Sequence, residues 1–226
     1  MKFMNDSRLE LKYLFNSHYT NKLIRILKTL PYDLKEKFNS RHVNNIYFDT
    51  QNNNCLKEHL DGIKNRYKIR IRWYGEFKDF LKPILEFKIK KNKITIKQKI
   101  KIKTDNEIDY LSNKQELHKL LKETLKKNKI INFSNNFKIS RIISYQRNYY
   151  ESLNEKIRFT VDQNLIYKVF NTKGIIVKES SRKFYQKDFN ILELKCDYIK
   201  KDLVPFIEKK ILIKNQSFSK FIDYRY

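Results

Sequence analysis

Three near-identical tetrapeptides carry an acid and a base two residues apart: Leu9-Glu10-Leu11-Lys12, Leu85-Glu86-Phe87-Lys88 and Leu192-Glu193-Leu194-Lys195. At the two-residue period of a β-strand, Glu and Lys share one face and the apolar pair takes the other. A face bearing both charges suits a metal-complexed polyanion: carboxylates hold the cation and ammonium groups hold phosphate oxygens. A single copy would read equally well as a half-exposed strand with cross-strand ion pairs, each worth about 0.2–1 kcal/mol. Threefold repetition, joined by Arg70-Ile71-Arg72 and Lys97-Gln98-Lys99, favours the polyanion. Like charges two residues apart repel on one face unless an anion sits between them.

The charge balance points the same way. Lys and Arg total 50 against 25 Asp and Glu, a formal net charge of +25. Such an excess implies an anionic partner: nucleic acid, a lipid surface or a polyphosphate compound. Lysine is enriched together with Asn and Ile, a composition bias, so arginine, present eleven times, is the more informative cation. Arg8, Arg70, Arg72, Arg147 and Arg158 all fall in alternating segments, where a planar fork suits bidentate phosphate contacts. No nucleic-acid-binding signature accompanies the tyrosines, which disfavours nucleic acid as the partner. Nucleophilic catalysis finds little support. His18, His42, His59 and His118 form no metal or triad spacing, and three glycines cannot build a phosphate loop. Cys55 and Cys196 lack metal-ligand spacing and read as reduced thiols. No stretch approaches the ~20 apolar residues of a membrane span, and none reads as a secretory signal. The expected location is cytoplasmic, with at most peripheral attachment to the inner face of a membrane.

The elements that must position these residues are mostly strands. Alternation predicts strands over 8–13, 43–49, 67–74, 83–89, 94–103, 137–150, 157–162 and 191–197, with a weaker one over 175–177. A tight turn at Lys91-Asn92 makes a hairpin of the fourth and fifth. The run 50–54 reads as turn, and Trp73-Tyr74-Gly75 as core followed by turn. Helical stripes cover 20–30, ending before Pro31, and 112–125, where Ser112 and Gln115 resemble a capping box, and a closing helix spans 201–213. Helices do not alternate with strands, an order unusual for a doubly wound sheet. The expected class is α+β: an antiparallel eight-stranded β tunnel or barrel with a charged lumen and helices packed outside, formed by one domain over 1–226. Charges in a narrow lumen are costly unless a charged ligand or water shares it.

Several of these segments, in order, resemble the VTC domain, the polyphosphate polymerase domain of the CYTH-like, triphosphate tunnel metalloenzyme superfamily. They are Arg8-Leu-Glu-Leu-Lys-Tyr13, Tyr47-Phe-Asp49, Ile69-Arg-Ile-Arg-Trp-Tyr-Gly75, Leu85-Glu-Phe-Lys88, Tyr145-Gln-Arg147, Ile157-Arg-Phe-Thr-Val-Asp162, Leu192-Glu-Leu-Lys195 and Phe218-Ser-Lys-Phe221. The resemblance implies a β tunnel that binds the phosphates of a nucleoside triphosphate with Mn²⁺ or Mg²⁺. It also implies transfer of the γ-phosphoryl group of ATP to a growing polyphosphate chain. Carried over by position, Lys12, Arg70, Arg72, Lys88, Arg147, Lys195 and Lys220 would be phosphate ligands, joined by Lys97 or Lys99. Glu193 would hold the metal, with Glu10 and Glu86 as helpers. Two positions depart from the family's pattern: Ser217 and His59 stand where basic residues are common. The resemblance leaves open a triphosphate hydrolase of the same superfamily and a non-catalytic polyanion-binding module. Export of a polymer product would require a separate membrane partner.

Overall fold

The computed structural model describes residues 8–92, 94–105, 108–128, 137–152, 156–168, 184–186 and 188–221. Its strands are β1 (Arg8–Asn16), β2 (Lys35–Thr50), β3 (Arg66–Tyr74), β4 (Ile84–Lys91), β5 (Ile94–Lys101), β6 (Phe137–Ser152), β7 (Ile157–Lys168), β8 (Phe184–Gln186) and β9 (Phe189–Asp197). Its α-helices are α1 (Thr20–Lys28), α2 (Asn54–Leu60), α3 (Lys114–Lys127) and α4 (Leu203–Ile211). The expected α+β class, antiparallel and strand-rich, is what the chain adopts. The strand expected over 175–177 lies outside the described residues.

The chain divides into two compact units: Met1–Arg41, Tyr145–Leu165 and Gln186–Phe218 form the first, and His42–Ser144, Ile166–Tyr185 and Ser219–Tyr226 the second. In the first unit the hydrogen-bonded order is β1-β9-β7-β6-β2. The β1/β9 and β7/β9 ladders are antiparallel and set Lys12 opposite Glu193 opposite Thr160, and Glu10 opposite Lys195 opposite Arg158. The other face is apolar: Tyr13, Phe159, Val161, Leu192 and Leu194 are buried with Leu23 and Leu27 of α1 and Ile207 and Ile211 of α4. Strand parity therefore separates ions from core, and the two helices cover the core side.

The second unit repeats this logic in the order β6-β2-β3-β4-β5. Its apolar face carries Ile69, Ile71, Trp73, Leu85 and Phe87, covered by Leu117, Leu120, Leu121 and Leu125 of α3. Trp73 is fully buried, and Gly75 takes the positive φ of 102° that ends β3, so this run is core and turn as its sequence indicates. The β4–β5 turn holds Asn92 at φ 53°, a left-handed conformation Asn tolerates.

Two local expectations are corrected. The cap of α3 is Asn113 rather than Ser112: its side-chain oxygen accepts from the backbone N–H groups of Gln115 and Glu116 at 3.0 and 3.2 Å. The run 50–54 turns as expected, the Asn53 N–H donating to the Thr50 carbonyl at 3.0 Å, but its last residue begins α2, a helix that was not expected. The buried carboxylate of Asp49, at the end of β2, accepts from the N–H groups of Cys55 and Leu56 at 2.9 and 3.1 Å. It supplies from five residues upstream the cap that the helix start lacks.

Candidate functional site

Each unit presents an ionic strand face, and the two faces differ in composition. In the second unit the register lines up Tyr47, Arg70, Glu86 and Lys99 across β2, β3, β4 and β5. The next row sets Lys68, Lys88 and Lys97 side by side. Adjacent strands lie about 4.8 Å apart, so three lysines in one row repel one another. The carboxylate at the centre of this field is Glu86, with only 5% of its side chain exposed. Its Oε2 accepts from Arg70 Nε at 2.7 Å and lies 2.6 Å from Arg70 Nη2. Arg72, Lys97 and Lys99 approach the same carboxylate at 3.9, 3.8 and 3.9 Å.

The arginines are held in place from β2. Arg72 Nε donates to Asn45 Oδ1 at 2.9 Å, and Arg70 Nη1 donates to the Tyr47 hydroxyl at 3.0 Å. Burial alone would raise the Glu86 carboxyl, but Arg70, Arg72 and Lys97 outweigh it and hold the group down at about 2. Lys97 moves the other way. Desolvation, with Arg70, Lys99 and Arg72 beside it, brings its ammonium down to about 8 against the opposing pull of Glu86.

Residues 219–221 cross this face. Lys68 Nζ donates to Ser219 Oγ at 2.8 Å and sits 5.7 Å from the Phe221 ring centre. Phe221 also packs against Tyr47 and against the edge of His59, with ring centres 5.3 and 5.6 Å apart. Between them in sequence, Lys220 is buried. His59 Nδ1 lies 2.8 Å from the Cys55 carbonyl. Burial first, then Lys68, pushes the imidazole down to about 4, so it is neutral near pH 7 and its Nδ1–H donates to that carbonyl.

The first unit's face is balanced. Arg147 clamps the fully buried Asp162 through Nε–Oδ1 and Nη2–Oδ2 contacts of 2.5 and 2.7 Å, and its Nη2 lies 4.0 Å from Glu193 Oε2. Burial works against the Arg147 charge, but Asp162, followed by Tyr145 and Glu193, keeps it firmly protonated. Lys195 bridges two carboxylates, in close contact with Glu193 Oε1 and 3.4 Å from Glu10 Oε2. Lys12 lies 3.8 Å from Glu10 and donates to the Phe218 carbonyl at 3.1 Å. Arg158 Nε and Thr160 Oγ1 are buried without a hydrogen-bond partner, on strand positions of the same parity as Asp162. Two orphaned buried donors on an ionic face are what an absent anionic ligand would satisfy.

Among the described residues no group of three or more His, Cys, Asp or Glu is placed to hold a metal ion. The donors present nonetheless fit Mg²⁺ or Mn²⁺. Such ions prefer oxygen and are commonly bound through one or two carboxylates plus substrate phosphates rather than by an all-protein cage. Glu10 and Glu193, joined through Lys195, match that pattern. Glu86, ringed by four cations, does not.

The candidates read from the sequence thus fall into two sets. Arg70, Arg72, Glu86, Lys88, Lys97, Lys99 and Lys220 belong to the second unit, and Glu10, Lys12, Arg147, Arg158, Glu193 and Lys195 to the first. Arg8 stands opposite Asp197 on β1. The structure adds Asn45, Tyr47, Lys68, Thr160, Asp162 and Ser219. Three of these six are same-parity neighbours of chosen residues: Lys68 two before Arg70, and Thr160 and Asp162 two and four after Arg158.

The VTC domain profile matches residues 7–224, through both units. The chain belongs to the VTC domain family. Solved structures share the fold of this VTC domain at low identity. A Bacillus halodurans protein provisionally named an adenylate cyclase aligns with a TM-score of 0.56 at 15% identity, over 98% of each chain. A Hippeastrum protein, provisionally named an adenylyl cyclase and described as having a dominant triphosphatase activity, aligns at 0.52 and 15%, over 96% of the VTC domain and 95% of its own chain. A Vibrio parahaemolyticus protein provisionally named an adenylate cyclase aligns at 0.51 and 9%, over 95% of both. No curated protein sequence matches significantly. Among the described residues of the VTC domain, no helix is long and apolar enough to cross a membrane.

Proposed function

We propose that this VTC domain is a metal-dependent polyphosphate polymerase that transfers the γ-phosphoryl group of ATP to the end of a polyphosphate chain. The observation that carries the reading is the second unit's cation field. A row of Lys68, Lys88 and Lys97 stands beside Arg70, Arg72 and Lys99, and among the described residues the buried carboxylate of Glu86 is drawn to Arg70, Arg72, Lys97 and Lys99. Six cations held by strand register are suited to a run of phosphates rather than to a single one.

Phosphoryl transfer asks the protein chiefly for positioning and charge stabilisation. Arg70 and Arg72, fixed by Tyr47, Asn45 and Glu86, present rigid forks to non-bridging oxygens. Lys68, Lys88, Lys97 and Lys99 neutralise neighbouring phosphates. The first unit's own face would bind phosphate oxygens through Arg147, Arg158, Thr160, Lys12 and Lys195, and its Glu193 with Glu10 would hold Mn²⁺ or Mg²⁺. The metal, when bound, neutralises phosphate charge and aligns the transferring group. Glu86 serves as the organiser of the arginines rather than as a metal ligand. A terminal phosphate oxygen of the acceptor chain forms the new bond to Pγ as the bond from Pγ to the β–γ bridging oxygen breaks and ADP leaves. No side-chain nucleophile is needed, in keeping with two buried cysteines, of which Cys55 is pushed up by burial to about 12.

A second reading, hydrolysis of triphosphate to orthophosphate, draws support from the triphosphatase activity described for the Hippeastrum protein. Incubation with ATP and Mn²⁺ or Mg²⁺, followed by gel separation and phosphate analysis, tests the choice. Long polyphosphate with ADP is expected. Orthophosphate without polymer would replace the polymerase by the hydrolase, and no turnover of any triphosphate would refute both.

A further inference from the structure

The β4–β5 hairpin outruns its cover. On its apolar side Leu85, Phe87 and Ile100 are buried, whereas Ile94 and Ile96, the residues nearest the turn, are 66% and 49% exposed. Ile96 pairs in register with the partly buried Ile89, so the exposed pair continues the apolar row beyond the core. A second exposed apolar segment is tied to the same turn. The backbone N–H of Asn92 donates to Asn65 Oδ1 at 3.2 Å, which brings the loop 61–65 beside it. That loop and the end of α2 expose Ile63 at 45% and Leu60 at 55%.

Lysine frames these aliphatic residues. Lys64 adjoins Ile63, Lys91 and Lys90 precede the turn on the apolar and ionic sides respectively, 87–97 contains no acid, and the loop carries one, Asp61, next to Leu60. A patch of exposed aliphatic residues with a cationic margin calls for a partner that is apolar below and anionic at its surface. A second copy of the chain would bring the same positive margin against this one. Nucleic acid would be gripped by aromatic residues able to stack, and the exposed residues here are Leu and Ile.

We propose that Ile94, Ile96, Ile63 and Leu60 form a docking tip that inserts into the headgroup layer of an anionic lipid bilayer, with Lys64, Lys90 and Lys91 at the phosphates. This surface needs neither ATP nor metal, so its test is independent of the enzymatic reading. The full chain is sedimented with phosphatidylcholine vesicles with and without phosphatidylserine, at physiological salt. Binding to the anionic vesicles alone is expected, and Ile94→Ser with Ile96→Ser should weaken it about tenfold. A second variant, Ile94→Trp, reports insertion directly. Its fluorescence should shift to the blue on adding anionic vesicles, over a background from the buried Trp73. Undiminished binding by the serine variant, with no spectral shift, would assign the attraction to the general charge of +25 and overturn the proposal. Absence of vesicle binding, or a dimer in solution that the serine variant abolishes, would overturn it as well.

Discussion

The two ionic faces share one strand logic and differ in electrostatic balance. In the first unit Glu10, Glu193 and Asp162 alternate with Lys12, Lys195 and Arg147, and most charges have an opposite within 4 Å. In the second, Arg70, Arg72, Lys97 and Lys99 all approach Glu86 within 4 Å, and Lys68 and Lys88 stand in register beside Lys97. The first face pairs most of its charges internally, leaves Arg158 Nε and Thr160 Oγ1 without a partner, and carries the carboxylates proposed above to hold a metal. The second gathers its described cations around one carboxylate, where an anionic ligand would ease the repulsion between like charges. Near-identical Glu-x-Lys strands thus sit in different electrostatic surroundings, set by what the neighbouring strands place opposite them.

The largest way to break this contrast is Glu86→Gln. Removing the buried partner of an ion cluster costs about 3–5 kcal/mol, which for a chain of this length is roughly 10 °C in Tm. Inorganic tripolyphosphate should restore part of that loss, read in a thermal melt, because it replaces the missing negative charge. The same logic has an acid limb. The Glu86 carboxyl is held at about 2 against an ordinary 4.5, so its contribution is complete above 4.5 and disappears as pH falls towards 2.

Glu193→Gln in the balanced face should act on catalysis instead. We expect turnover with Mn²⁺ to fall about 100- to 1000-fold, with tripolyphosphate affinity in the absence of metal changing little. Equal loss of both would make the two faces alike. A smaller effect concerns Lys97. With its ammonium at about 8, tripolyphosphate affinity should fall severalfold as pH rises from 7 to 9, and Lys97→Arg should flatten that fall. Titration calorimetry across this range is the measurement. The least effect is at His59, whose pKa lies at about 4 rather than 6.5. Below 6.5 the unfolded chain takes up the proton first, so stability declines as pH drops from 6.5 to 4. His59→Gln should remove on the order of 1 kcal/mol of that decline, as followed by denaturant melts.

Strands whose faces differ in polarity were legible from sequence, which is why β3, β4, β5 and β9 fall close to the expected spans. Residues 35–42 of β2 are exposed on both faces, so no alternation marks them. Helix α2 was hidden because its capping group, Asp49, lies outside it. In the ionic faces, parity singles out the charged residues but not their tethers. Asn45 and Tyr47 matter only because β2 pairs with β3, and that pairing is a matter of topology, not composition. Parity marks Asp162, four after Arg158, but not its partner Arg147, which comes from another strand.

The sealed position of both thiols has a practical consequence. Cys55 and Cys196 are buried, and burial raises each above the ordinary thiol range. Alkylating reagents attack the thiolate, so neither should react readily in the folded chain. One cysteine introduced at an exposed position, such as Tyr198 or Leu81, should therefore accept a maleimide dye or spin label selectively, with both native cysteines left in place.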